Sequence, residues 1–383
     1  MKKYKILIAD GHARQGLALA KAFHDLNCHV TAVCESSLDL CAVSRYVDKV
    51  IKNKQLHERP DLRTECILKE IKKEKYTLVV ACSDVTAEQL TLNKDKIEAY
   101  ASVSVVDREL FYTAFDKLQT MRVCMDNNIP CPKTYFDCST VEDVFSKELV
   151  FPLIIKPRQG YGAIGFHKFD TPQELRQYLS EHKEDIKHLV IQEYIPQTDK
   201  QYEAAMFLDD KNQVKSAMIF EKNRWFPVSG GSSTLNTSVA DDGIVESCTK
   251  LMKLINWRWC ADIDLIRDPR DGVAKIMEIN PRMSGSAKIV MLSGVNMAKQ
   301  LLQMAIGEEV TNYSTYEKGV RLRCLYTDFL WFIKSSNRFK AEPSWFSFKN
   351  THEQVFLWKD PVPYLAFSLG SLLKLRKELD KRK

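Results

Sequence analysis

Residues 261–288 read ADIDLIRDPRDGVAKIMEINPRMSGSAK, and two short alternating segments stand out in them. Asp262-Ile263-Asp264-Leu265-Ile266 and Ile276-Met277-Glu278-Ile279-Asn280 flank a loop that carries Asp268-Pro269-Arg270-Asp271-Gly272. That pattern predicts a β-hairpin. Residues two apart on a strand share a face, so Asp262 projects with Asp264, and Glu278 with Asn280. If the turn is symmetric, Asp264 lies opposite Glu278, because the midpoint between them falls on Asp271. Asp264, Glu278 and Asn280 then offer two carboxylates and an amide to one point. Such hard oxygen donors suit Mg2+, with Mn2+ as the alternative, and leave positions open for phosphate and water. Arg282 follows at once, a planar fork matched to phosphate or carboxylate. Taken alone, the hairpin reads more readily as a surface turn with solvated acids.

The remaining sequence limits the choice. A chain of 383 residues is too long for one core and points to two or three domains. A net charge of +6 admits anionic ligands, but no stripe of alternating basic and aromatic residues argues for nucleic acid. Eleven cysteines are scattered without a CxxC pair, which fits reduced thiols and a cytoplasmic location rather than a zinc site or a disulfide framework. The N-terminus starts as a strand and not as a signal peptide. The longest apolar run near the end, residues 362–373, is broken by Pro363 and is too short to span a bilayer.

Strand patterns at residues 5–9, 30–34, 78–82 and 103–106 alternate with helical ones, which predicts an N-terminal parallel α/β domain over residues 1–110. Its first turn holds Gly11 and Gly16 but not the GxGxxG of a dinucleotide site. His12 and Arg14 stand at the carboxyl end of the first strand, where open α/β sheets bind ligands; solvated loop polars explain them as well. Residues 111–128 read as one helix containing Asp116-Lys117, and capping boxes at Ser139-Thr140-Val141-Glu142 and Thr171-Pro172-Gln173-Glu174 start two more. Between these lies the apolar strand of residues 151–155, then Lys156 and a loop with Gly160, Gly162 and Gly165. Glycines let backbone N–H groups approach phosphate oxygens, and the lysine adds a charge. This order is not that of a GxxxxGK[ST] loop. Residues 189–196 form another strand, ending in Glu193-Tyr194-Ile195-Pro196, and residues 222–234 read as a flexible hydroxyl-rich loop.

In this order, Lys117, Lys156 with its glycines, Gln192-Glu193-Tyr194-Ile195 and Asp264…Glu278-Ile279-Asn280-Pro281-Arg282 resemble an ATP-grasp enzyme. The branch is that of the carbamoyl-phosphate synthetase large chain and biotin carboxylase, with D-alanine ligase more distant. The resemblance covers roughly residues 1–310, and EINPRMSGS with its upstream acid is its most specific piece. It implies an α/β domain followed by an α+β unit with ATP held between two subdomains, residues 111–190 and 191–310. It further implies that Lys117, Lys156, Gly160, Gly162 and Gly165 bind the phosphates, and that Glu193 and Ile195 read adenine. Asp199 or Lys200 falls at the ribose position, where this sequence departs from the pattern. Asp264, Glu278 and Asn280 match the magnesium ligands, and Arg282 and Lys156 serve catalysis. The implied activity is a single-unit ligase that joins a small-molecule carboxylate to an amine through an acyl phosphate. A non-catalytic, regulatory ATP-binding protein is the alternative. A homo-oligomer is left open.

Residues 311–383 lie outside the resemblance, are rich in Trp and Phe, and read as a packed C-terminal extension. Apolar residues 364–373 precede a basic end, 374–383. A solvated helix is the simplest reading of that tail, and contact with a membrane surface the minority one.

Overall fold

Five strands of the N-terminal part form a parallel sheet: β1 (Lys5–Ile8), β2 (His29–Cys34), β3 (Lys49–Lys52), β4 (Leu78–Val80) and β5 (Ser102–Val103), in the order β3-β2-β1-β4-β5. These details come from a computed structural model that describes residues 3–160, 165–197, 200–228 and 230–381. The inner strands are continuous apolar runs because helices cover both faces of a parallel sheet. Strand β3 escapes sequence reading: KVIK alternates half-buried and exposed at the sheet edge and carries a lysine at each end. The strand expected at residues 103–106 is only the two residues of β5. Gly11 is required after β1, since a Cβ there would lie 2.3 Å from Cys34 Sγ and 2.8 Å from Val33 O.

The next sheet is antiparallel and small. Strands β6 (Thr134–Tyr135), β7 (Leu153–Pro157), β8 (His167–Phe169) and β9 (Leu189–Glu193) lie in the order β6-β9-β7-β8. They share an apolar cluster with the helices Val141–Phe145 and Pro172–Glu181. The capping box of the second helix is Thr171 with Glu174, as expected. That of the first is Thr140 with Asp143, one residue later than Ser139 with Glu142, because the Asp143 carboxylate reaches back to the N–H groups of both Ser139 and Thr140.

The large sheet runs β14-β13-β10-β11-β12-β15-β16, built from β10 (Gln201–Leu208), β11 (Val214–Phe226), β12 (Ser232–Val239), β13 (Trp259–Arg267), β14 (Ala274–Asn280), β15 (Arg321–Arg323) and β16 (Thr351–Glu353). The expected hairpin is β13–β14, with Asp264 opposite Glu278 and Asp262 opposite Asn280. Gly272 takes the left-handed conformation its turn needs, at φ 72°. Strict alternation sorts the sheet's residues. Ala204, Met206, Ile219, Ile263 and Ile279 join one core, which includes Leu251 of the helix Asp242–Leu254. Ala205, Phe207, Met218 and Phe220 join another, which includes Ile6, Leu19 and Phe23 of the N-terminal part.

Two expectations change here. Residues 222–234 are not one loop: β11 continues to Phe226 and β12 starts at Ser232, paired Phe226 with Ser232. The segment looks like a loop because positions 222 and 224 of the strand are Lys and Arg, each neutralising a buried acid, instead of apolar residues. Nor are residues 111–128 one helix. Arg108–Phe115 and Lys117–Asp126 are separate, and Asp116 leaves the helical conformation between them (ψ 106°) to cap the second through Leu118 N.

The C-terminal segment is stitched into the large sheet through Asp328, on the helix Leu325–Lys334. Its fully buried carboxylate accepts from Arg224 Nε at 2.7 Å, Arg323 Nε at 2.6 Å and Thr234 Oγ1 at 2.8 Å. Removing one partner of a buried ion network leaves the others charged and unpaired. Asp328→Ala is therefore expected to lower stability by about 3–5 kcal/mol, read as a lower midpoint in urea denaturation.

Candidate functional site

The site begins with an ion pair that does no chemistry. Asp116 caps the helix Lys117–Asp126 and also receives Arg158, just past the end of β7, with Nε 3.0 Å from Oδ2 and 3.1 Å from Oδ1. Lys117 N donates to Arg158 O at 3.0 Å, which completes the clip. The first residue of the helix and the end of β7 are thus fixed side by side, and Lys117 and Lys156 come to the same place. Lys117 Nζ donates to Gly160 O at 2.7 Å and lies 3.2 Å from Glu278 Oε2. Lys156 Nζ lies 3.5 Å from Met277 O. Desolvation pulls the Lys156 ammonium down to about 8; Glu278 and Asp264 oppose that fall, and Lys117 adds to it.

Across from the lysines stands a row of acids on one face of the large sheet. Register places Glu203 opposite Asp264 and Asp264 opposite Glu278, so the three lie abreast on β10, β13 and β14, with Asp262 and Asn280 one step along. Lys222 enters from β11, 2.6 Å from Asp264 Oδ1 and 3.2 Å from Glu203 Oε2. Burial alone would pull its pKa down, but the two carboxylates outweigh that and raise it. Asp262 accepts from Ser284 N at 2.5 Å. Burial, then the Glu203 carboxylate beside it, push the Asp262 carboxyl well above the usual carboxylate range. Asp262 Oδ1 and Glu203 Oε1 are buried without a hydrogen-bond partner.

The other expected residues sit as follows. Asn280 Oδ1 is 3.4 Å from Arg282 Nη2, and the same nitrogen donates to Asp84 Oδ2 at 2.8 Å, tying the hairpin to the helix Asp84–Leu92 of the N-terminal part. Arg14 donates to Gln354 Oε1 at 2.7 Å and packs against Gly285, so it lines the junction of three chain segments. Glu193 accepts from Lys133 N at 2.8 Å and from Arg270 Nη2 at 2.7 Å, and Ile195 is buried two residues on. Gly160 and Gly165 both have positive φ, 126° and 74°, and a Cβ on Gly165 would meet Pro157 Cγ at 2.9 Å. Gly162 and Asp199 lie outside the described residues.

Sequence reading missed Lys222, Glu203 and Asp84, and placed Asp262 on the face of Asp264 without giving it a role. Period-two alternation in residues 214–222 carries the signal for Lys222, which falls on the face of Met218 and Phe220. Among the described residues no three His, Cys, Asp or Glu side chains cluster in a metal-holding geometry. The hairpin provides two carboxylates and an amide, each carboxylate facing an ammonium. This set fits a divalent cation that takes its remaining oxygens from phosphate and water.

The sequence of a family described as "ATP-grasp in the biosynthetic pathway with Ter operon" matches residues 187–327. A D-aspartate ligase of Enterococcus faecium (strain Aus0004) is 26% identical over 247 residues, 59% of this chain and 58% of the relative. A carbamoyl phosphate synthase large chain of Thermoanaerobacter sp. (strain X514) is 28% identical over 255 residues, 63% of this chain but only 22% of the relative. The chain therefore spans less than two thirds of either protein. In three dimensions, a biotin carboxylase from Campylobacter jejuni in complex with a β,γ-ATP compound superposes with a TM-score of 0.71 at 16% identity, over 83% of this chain and 74% of the other. That likeness is one of fold.

A divalent cation held by Asp264 would have to compete with the ammonium of Lys222. In Lys222→Met, Asp264 and Glu203 lose their counter-charge, so stability is expected to fall by roughly 3 kcal/mol. Mg2+ alone should then raise the melting temperature more in the variant than in the parent. Equal responses to Mg2+ would show that lysine and cation do not share the site.

Proposed function

Because the chain belongs to the ATP-grasp superfamily, we propose that it is an ATP- and Mg2+-dependent ligase that joins a carboxylate to an amine through an acyl phosphate, releasing ADP and phosphate. The observation that carries this reading is the meeting of Lys117, Lys156 and Lys222 with Asp264 and Glu278 on one sheet face. A nucleotide-binding module needs cationic contacts; a second set of acids opposite them serves phosphoryl transfer. The proposed division of labour follows chain order. Residues 1–110 present the substrate, 111–190 and 191–310 enclose ATP, and 311–383 brace the large sheet.

In this reading Lys117 and Lys156 hold the phosphates together with backbone of the loop from Gly160 to Gly165, and Glu193 and Ile195 border adenine. Asp264, Glu278 and Asn280 would hold magnesium, which would supply Lewis-acid charge to offset that on the phosphates. Lys117 and Lys222, which pair with Glu278 and Asp264, would supply the positive charge that faces the phosphates. The substrate carboxylate oxygen bonds to the γ-phosphorus as the β,γ-bridging P–O bond breaks. The amine then attacks the acyl carbon, and phosphate leaves. Arg282, anchored by Asp84, steadies the acyl phosphate from the N-terminal side. No side-chain nucleophile is needed; the catalysis is positioning and charge neutralisation. The likeness to a D-aspartate ligase puts acidic amino acids first among carboxylates to be screened.

Three results are expected. With the right acid and no amine, hydroxylamine traps an acyl hydroxamate in step with ADP release; AMP and pyrophosphate would overturn the acyl-phosphate route. Lys156→Ala lowers turnover by about 100-fold or more, the scale of losing one group that stabilises developing charge, and weakens ATP binding in calorimetry. Glu278→Gln keeps the fold, with a melting temperature lowered by the loss of its Lys117 partner, but does not consume ATP. Tight ATP binding with no ADP release across acids and amines would favour the regulatory alternative.

A further inference from the structure

Exposed large apolar side chains are scattered singly through most of the described residues, but they are dense between residues 325 and 369. Leu325, Phe329 and Ile333 form an outward stripe at four-residue spacing on the helix Leu325–Lys334. Val362, Leu365 and Leu369 form a second on the helix Val362–Lys381. Phe339 is 71% exposed, Phe346 58%, Phe348 64% and Trp358 89%, all on the segment between the helices. The helices pack side by side: Tyr326 stands edge-on to Phe367 at 6.4 Å and donates to Ser371 O at 3.2 Å. The stripes are thus two outer surfaces of one braced unit, fixed from beneath by buried Asp328.

Charge identifies what covers them. The exposed charged residues interleaved with these rings are Lys334, Lys340, Lys349 and Lys359 against one acid, Glu342. Residues 374–383 add six Lys and Arg against two acids. A cavity of about 720 Å3 beside Trp358 is lined by Lys21, Arg45, Lys288 and Lys359 against the acids Asp25 and Glu353, so its lining is basic on balance. A second copy of the chain would set these lysines against one another, so the face does not suit self-association. No described helix is long and apolar enough to cross a membrane, so contact is from the side. Apolar and aromatic side chains ringed by lysine are the pattern of a helix lying in the interface plane, and lysines near an anionic leaflet add attraction that salt screens.

We propose that this C-terminal face docks on an anionic phospholipid surface, with the exposed rings entering the headgroup region and the surrounding lysines meeting lipid phosphates. The test is flotation of the full chain with vesicles of phosphatidylcholine alone or phosphatidylcholine mixed with phosphatidylserine. The chain should float with the mixed vesicles, stay down with the neutral ones, and be released as salt rises. Phe346→Glu with Phe348→Glu, and separately Lys340→Glu with Lys349→Glu, should each weaken binding about tenfold or more, with the melting temperature unchanged in the lysine pair and circular dichroism showing the fold retained in the phenylalanine pair. Phe329→Glu with Ile333→Glu repeats the apolar test on the helix. Failure to float with mixed vesicles overturns the proposal. So does flotation that all three double variants leave unchanged, and so does a parent dimer in sedimentation that they convert to monomer, since the face would then belong to a protein interface. None of these readouts depends on ATP turnover, so the ligase reading and this one fail separately.

Discussion

Carboxylates inside a sheet must be neutralised, and the centre of this protein is arranged around that requirement. Glu203, Asp262, Asp264 and Glu278 lie on neighbouring strands of one face. Unpaired, each would cost several kcal/mol to bury. Lys222 answers two of them, Lys117 answers Glu278, and Asp262 keeps its proton more firmly than an ordinary aspartate. Most of the charge on these carboxylates is thus balanced by the protein's own ammonium groups. Those same groups are the ones a polyphosphate would attract, so resting stability and readiness for a charged ligand come from one set of residues.

The neutralising groups come from separate parts of the chain, and this explains which of them could be read in advance. Asp264 and Glu278 were legible because a strand repeats every two residues and the turn between them is short and rich in Pro, Gly and Asp. Lys156 was legible because glycines follow it. Lys222 was not: a strand that carries Lys and Arg where apolar residues are expected looks like a loop until the acids facing it are known. The break at Asp116 was hidden for a related reason, since its cause, Arg158, lies 42 positions away. Strand β3 was missed because an edge strand has little apolar content to betray it. The parallel order of the N-terminal sheet, by contrast, follows from its apolar strands alternating with helices.

The segment after residue 310 illustrates the same limit. Its aromatic content announced packing, but not that β15 and β16 would extend the large sheet, nor that Asp328 would be the acid between Arg224 and Arg323. Composition can show that a region has apolar groups to bury. It cannot show which neighbour carries the complementary charge. Here that neighbour, Arg224, sits on a strand reached only after the fold has formed.

The clip between Asp116 and Arg158 has a mechanical consequence. The small sheet has an apolar cluster of its own, whereas the helix that starts at Lys117 packs Met121 and Cys124 into the core that holds Ile276 and Ile279. The bonds described at this seam are polar: the guanidinium fork on Asp116, the Lys117 contact with Gly160 and the Arg270 contact with Glu193. A fork of this kind fixes a pivot point and leaves the angle about it soft. Tilting the small sheet would stretch these charged contacts, so the resistance to tilt depends on the geometry of a few ion pairs.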